Sequence, residues 1–214
     1  MNIVVDSTLP QTSDDETGKN SFKSYLKDTG VYLNSSNAIK HYQGSQDCGF
    51  EVDADKLNFC LEVEAEGQYG NCAKDGIELY GEYTDYNYKP LKDAILQEFR
   101  DCSYQFDSDS IVYKGISLSK PYYKKFDPKT CQIDDVIEVN TFFSTTVSRE
   151  KAKNFGAIIL KISGLNNAAS VVPPIEIIPG AGSLTHEQEV LIKPKFTVKV
   201  IKILGQEVHL QIQA

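Results

Sequence analysis

No run of this chain is apolar for long enough to cross a bilayer as a helix, which removes membrane-spanning helical proteins from consideration. The first residues, Met1-Asn2-Ile3-Val4-Val5-Asp6, lack the charged and apolar regions of a secretory leader. Three expectations for location follow: the protein stays where it is made, a leader has been removed, or export is leaderless. Positive charge is in the minority. Lys and Arg number 22 against 30 Asp and Glu, a formal net charge of −8, which argues against nucleic acid or an anionic membrane as partner. Arginine is nearly absent, occurring only as Arg100 and Arg149. The five cysteines (Cys48, Cys60, Cys72, Cys102 and Cys131) contain no Cys-x-x-Cys and no metal-ligand spacing. A reducing compartment is the simpler reading of that odd number, with two disulfides and one free thiol as the alternative. The three histidines, His41, His186 and His209, form no Ser/His/Asp order. His186 beside Glu187 has no third ligand in register, so no metal is expected.

What is present describes an ordinary soluble globular chain. A hydrophobic content of 41% and a charged content of 24% leave enough apolar residues for a core. No internal repeat or linker divides the 214 residues, so one domain over 1–214 is expected. Short helices are expected at 21–26 and 37–42, with irregular chain over 44–76, which is rich in Gly, Asp and Glu. Leu91, Ile95, Leu96 and Phe99 repeat at helical spacing, and Pro90 suits the first turn of that helix. Farther on, β-branched runs at 110–113, 136–139, 157–162, 169–172, 189–192, 196–203 and 207–212 read as strands. One helix interrupts them, with Ser148 as N-cap, 149–155 as body and Gly156 as stop. Helices first and strands later give an α+β fold, with a helical or irregular part over 1–75 and a strand-rich core over 77–214.

Three segments carry residues suited to chemistry. Tyr113-Lys114-Gly115-Ile116-Ser117 ends a strand with a cation that suits phosphate, followed by a glycine that permits close approach of a ligand. An exposed lysine before a turn glycine is also a common structural feature. Thr141-Phe142-Phe143-Ser144-Thr145-Thr146-Val147-Ser148 sets hydroxyls on a strand edge before a helix, where they can orient a carboxylate or bind a ribose. Strand propensity and helix capping explain the same residues without a ligand. Glu187-Gln188-Glu189 puts two carboxylates on one side of a strand's mouth, after the loop 179–185. Like charges so close resist desolvation, and one of the two pKa values rises, as suits a base.

In that order the three segments resemble the Arg, Ser-Thr-Ser, Glu-x-Glu signature of mono-ADP-ribosyltransferases, a group with bacterial toxin, phage and vertebrate ecto-enzyme members. Tyr113-Lys114-Gly115 is similar to the family's Tyr-Arg-Gly, and Phe142-Phe143-Ser144-Thr145-Thr146 to its Phe-x-Ser-Thr-Ser. Glu187-Gln188-Glu189-Val190-Leu191-Ile192-Lys193-Pro194 is similar to its Glu-x-Glu-Val-Leu-Ile-x-Pro, and Tyr83-Thr84 ahead of the 91–99 helix fits as well. The resemblance spans about residues 77–203 and leaves 1–75 unassigned. It implies a mixed, mainly antiparallel two-sheet core, and a soluble protein that is either an exported toxin or effector or cytoplasmic.

The resemblance also implies the chemistry. NAD, as substrate, is cleaved between nicotinamide and ribose. Glu189 stabilises the charge developing on the sugar, Glu187 orients and deprotonates an acceptor guanidinium, and Ser144 fixes Glu189. Lys114, Gly115, Ser144, Thr145 and Thr146 hold the NAD, and a target protein presents the arginine. Thr146 in place of serine keeps the hydroxyl, whereas Lys114 in place of arginine keeps the charge and loses the planar fork. Two other functions remain open: NAD glycohydrolysis, with water as acceptor, and a degenerate domain that binds nucleotide or a protein partner.

Overall fold

A computed structural model describes residues 37–42, 44, 49–67, 86–102, 106, 110–167, 171–172 and 189–214. The helix expected at 21–26, the segment 77–84, the loop 179–185 and the pair Glu187-Gln188 lie outside them. The described chain begins with helices α1 (Asn37–Tyr42), α2 (Ala54–Glu66) and α3 (Lys89–Cys102). Strands β1 (Val112–Ile116), β2 (Val136–Val139) and β3 (Phe143–Thr146) follow, then a short helix α4 (Arg149–Ala152). Strands β4 (Ile158–Ser163), β5 (Val171–Val172), β6 (Glu189–Ile192), β7 (Phe196–Leu204) and β8 (Glu207–Ile212) complete the α+β order.

Helix α2 corrects the irregular chain expected over 44–76. Asp53 caps it, its carboxylate accepting from the Lys56 amide at 2.9 Å, and Asp55 sits in the first turn. The helix has no single apolar stripe. Leu57 and Leu61 face one core, with α1 and α3, while Phe59 and Val63 face the other, with the strands. Apolar residues on two faces blur the helical period, and the acids that suggested a loop are put to use. Glu62, for example, is buried and receives the ammonium of Lys125.

The strands pair in the order β2-β7-β8-β4-β1-β3-β6-β5. Only β4 and β8 run parallel, so the sheet is mixed and mainly antiparallel. The link between β1 and β3 is a single registered pair, Tyr113 with Thr146. There the sheet divides into two leaves, β2-β7-β8-β4-β1 and β3-β6-β5, joined rather than separate. In the smaller leaf, β6 is apolar on both faces. Its Val190 and Ile192 enter the strand-side core with Phe143 of β3, and its Leu191 enters the helical one with Phe142, the residue just before β3. A strand covered on both sides reads as a continuous apolar run, which is why 189–192 was legible as a strand.

Strand β1 runs farther than 110–113, so Lys114 and Gly115 lie within it. Helix α4 stops at Ala152 rather than Phe155, and its end continues as tight turns from Asn154 to Lys151 and from Phe155 to Ala152. Cys60 and Cys131 are buried free thiols, and burial pushes the Cys60 thiol up to about 11. With those two of the five reduced, three cysteines remain, too few for the two disulfides considered above.

Candidate functional site

A cavity of about 330 Å³ opens where the two leaves meet, between β1, β3 and the first turns of α2. Its wall includes Lys114, Gly115, Ser144, Thr145 and Thr146, all five residues that the sequence singled out for NAD. The register of β3 against β6 sets Glu189 opposite Thr146 and Leu191 opposite Ser144. Glu189 therefore occupies the first position of a strand paired to the cavity wall, whereas Glu187 is outside the described residues.

Each wall residue has a local reason for its place. Lys114 is only 8% exposed, and its ammonium donates to the Ser144 carbonyl at 2.6 Å. The same nitrogen lies 4.8 Å from the Phe143 ring centroid and 5.1 Å from that of Tyr123. A carbonyl dipole and two aromatic faces hold a charge that burial alone would penalise. Thr145 donates its one hydroxyl proton to the Val190 carbonyl at 2.6 Å, so it can accept from a ligand but not donate to one. Thr146 accepts the Ser148 amide at 3.2 Å, closing the turn into α4. The Ser144 hydroxyl makes no hydrogen bond among the described residues and is half-buried at the cavity.

Gly115 has a structural reason distinct from ligand approach. A Cβ there would meet the Ala152 carbonyl oxygen at 1.8 Å, and a Cβ at Gly156 would meet the Ile116 carbonyl oxygen at 2.1 Å. The two glycines let the end of α4 lie backbone to backbone on β1. Arg149 of α4 is tied in turn to Glu207 of β8, its NH2 nitrogen at 2.7 Å. Burial raises the pKa of Glu207, but hydrogen bonds from Arg149 and His209 outweigh it and hold this carboxyl below its usual range.

None of the three sequence segments includes the opposite wall. Asp55 and Asn58 of α2, Tyr42 of α1, Lys120 and Phe155 also line the cavity. Lys120 donates to Asp55 at 2.6 Å, and the Tyr122 hydroxyl donates to the same oxygen at 2.9 Å. Burial, with Tyr123 and the Asp55 charge, pushes the Tyr122 hydroxyl far up, so it stays a donor. Asp55 and Asn58 sit on the unforeseen helix, and Lys120 follows the Lys114 motif with no pattern of its own. No group of His, Cys, Asp and Glu among the described residues is arranged to hold a metal, and no helix among them is long and apolar enough to cross a membrane.

Neither a protein-family model nor a curated protein sequence matches the chain. Among solved structures, Vis toxin, an ADP-ribosyltransferase from Vibrio splendidus, superposes with a TM-score of 0.50 at 15% identity, over 95% of this chain and 86% of that one. The fold is that of an ADP-ribosyltransferase. The catalytic domain of VsdC from Aeromonas hydrophila gives 0.48 at 14% identity, over 83% of this chain and 100% of that one. Exoenzyme S from Pseudomonas aeruginosa, solved with human 14-3-3 protein beta and carba-NAD, gives 0.44 at 14%, over 88% of each chain. Within this ADP-ribosyltransferase fold, the cavity lies where the two leaves part and where β3 and β6 run side by side.

Proposed function

We propose that this protein transfers ADP-ribose from NAD to an arginine side chain of a target protein and releases nicotinamide. The observation that carries the reading is the meeting, in one cavity of an ADP-ribosyltransferase fold, of Lys114, Gly115, Ser144, Thr145 and Thr146, with Glu189 in register opposite Thr146. The bond between the nicotinamide nitrogen and the ribose breaks, and nicotinamide leaves as a neutral molecule. Glu189 stabilises the positive charge that grows on the sugar. Glu187 takes a proton from the acceptor guanidinium, whose freed nitrogen forms the new bond to the ribose carbon. Ser144 holds Glu189, and the lysine charge at the cavity suits the diphosphate.

Incubation with labelled NAD and agmatine tests the reading. Wild type transfers label, Glu189→Gln loses at least about a hundredfold in transfer, as removal of a charge-stabilising group does, and Glu187→Gln loses transfer while still releasing nicotinamide slowly. Nicotinamide release by wild type with no labelled acceptor shifts the assignment to NAD glycohydrolysis. An absence of NAD binding leaves the degenerate domain, and transfer that survives Glu189→Gln defeats the mechanism.

A further inference from the structure

The far wall of the cavity carries an acceptor that no described residue satisfies. The Tyr42 hydroxyl has one proton, and the Phe142 carbonyl 3.1 Å away can only accept, so the proton points there. The Tyr42 oxygen is therefore the acceptor for the Asn58 side-chain nitrogen at 2.9 Å. This chain of bonds fixes which way round the Asn58 amide lies. Its oxygen, Oδ1, is turned away from Tyr42, is buried, and has no hydrogen-bond partner among the described residues. Asn58 itself is 4% exposed and lines the cavity. The oxygen is closed to bulk solvent, and an acceptor left without a hydrogen bond destabilises the free protein.

We infer that Asn58 is a ligand-binding residue whose Oδ1 accepts a hydrogen bond from an N–H or O–H group of the bound dinucleotide. The inference rests on the NAD reading above and extends it to a residue outside all three sequence segments. The chemistry of the cavity is two-sided. Lys114 and Lys120 line it with ammonium groups, which only donate, and Asn58 holds an oxygen behind its surface, which only accepts. A ligand that meets both needs an anionic part for the lysines and a neutral donor for Asn58. NAD has a diphosphate for the first, and its carboxamide, ribose hydroxyls and adenine amino group for the second. Inorganic phosphate meets only the lysines. The oxygen is closed off in the free protein, so the inferred bond requires the ligand to shift the wall, and binding then relieves a cost that the free protein bears.

Asn58→Leu keeps a branched side chain, removes the orphaned acceptor and leaves the bond from Tyr42 to Phe142 in place. Calorimetric titration with NAD, its 3-acetylpyridine analogue (a methyl ketone in place of the amide) and ADP-ribose reads the result, alongside the melting temperature of the free protein. The expected pattern is a roughly tenfold loss of NAD affinity with an unchanged or higher melting temperature. Loss for NAD alone assigns the carboxamide as donor, and loss for all three ligands assigns a hydroxyl or the adenine amino group of the ADP-ribose part. Asn58→Ala repeats the affinity measurement should leucine overfill the site. A lower melting temperature with unchanged affinity in both variants makes Asn58 merely structural and overturns the inference. Wild type that binds no NAD overturns the transfer reading and this assignment together.

Discussion

Lys114 concentrates its charge on one nitrogen, and that nitrogen already has the Ser144 carbonyl at 2.6 Å and two aromatic rings around it. An arginine would offer five donors in a plane, and a lysine offers three about a point. The cavity holds a second cation, Lys120, restrained by Asp55. Two point charges thus line one cavity. If Lys114 meets a phosphate, Lys114→Ala removes a charge-assisted hydrogen bond worth about 1.5–3 kcal/mol, or roughly ten- to a hundredfold in affinity. Calorimetry with NAD is the measurement, and the melting temperature of the free variant shows whether it folds. Lys114→Arg should bind NAD at least as well as wild type. Equal affinity in wild type and Lys114→Ala would take Lys114 out of the binding site. The lysine and the hydroxyls were legible because short, ordered strand motifs carry them. Asp55 and Asn58 were not, because their place beside Lys114 depends on a helix packing across a fold that no local pattern encodes.

At the scale of elements, the seating of α4 on β1 decides the shape of one wall. The backbone of Ala152 and Gly156 lies against Gly115 and Ile116 with no room for a methyl group. The obstructing atoms belong to backbone, so no side-chain rotation relieves the clash. Gly115→Ala and Gly156→Ala are each expected to cost about 1–3 kcal/mol or more, as overpacking does, measured by urea unfolding. Stability unchanged within error in either variant would mean that α4 does not dock as described. Elements whose pattern is local were readable: β2, β6 and β8 begin and end where β-branched runs do, and α3 follows the spacing of Leu91, Ile95 and Phe99. Those shaped by tertiary contact were not. Helix α4 ends early where its backbone meets β1, and α2 hid its period by serving two cores.

The two cores raise the question of whether the molecule unfolds once or twice. They meet along the leaf of β3 and β6 and along α2, and adjacent residues serve opposite sides. Phe142 stacks on Phe99 at 6.0 Å and meets Tyr42 at 5.8 Å, on the helical side. Phe143 meets Phe126 and Phe196, each at 5.9 Å, on the strand side. Because the two rings are consecutive, Phe142 just before β3 and Phe143 its first residue, neither core can come apart without loosening the chain that backs the other. A single cooperative unit is therefore expected of the two cores. Phe142→Ala and Phe143→Ala should each cost about 3–5 kcal/mol, a large share of the roughly 5–15 kcal/mol that holds a domain folded. Both should lower one shared midpoint, with far-ultraviolet circular dichroism and tyrosine fluorescence changing together. Two separate transitions, one moved only by Phe142→Ala and the other only by Phe143→Ala, would show two units. The cavity would then lie on the seam between them, since Ser144, which lines it, directly follows both rings in the chain.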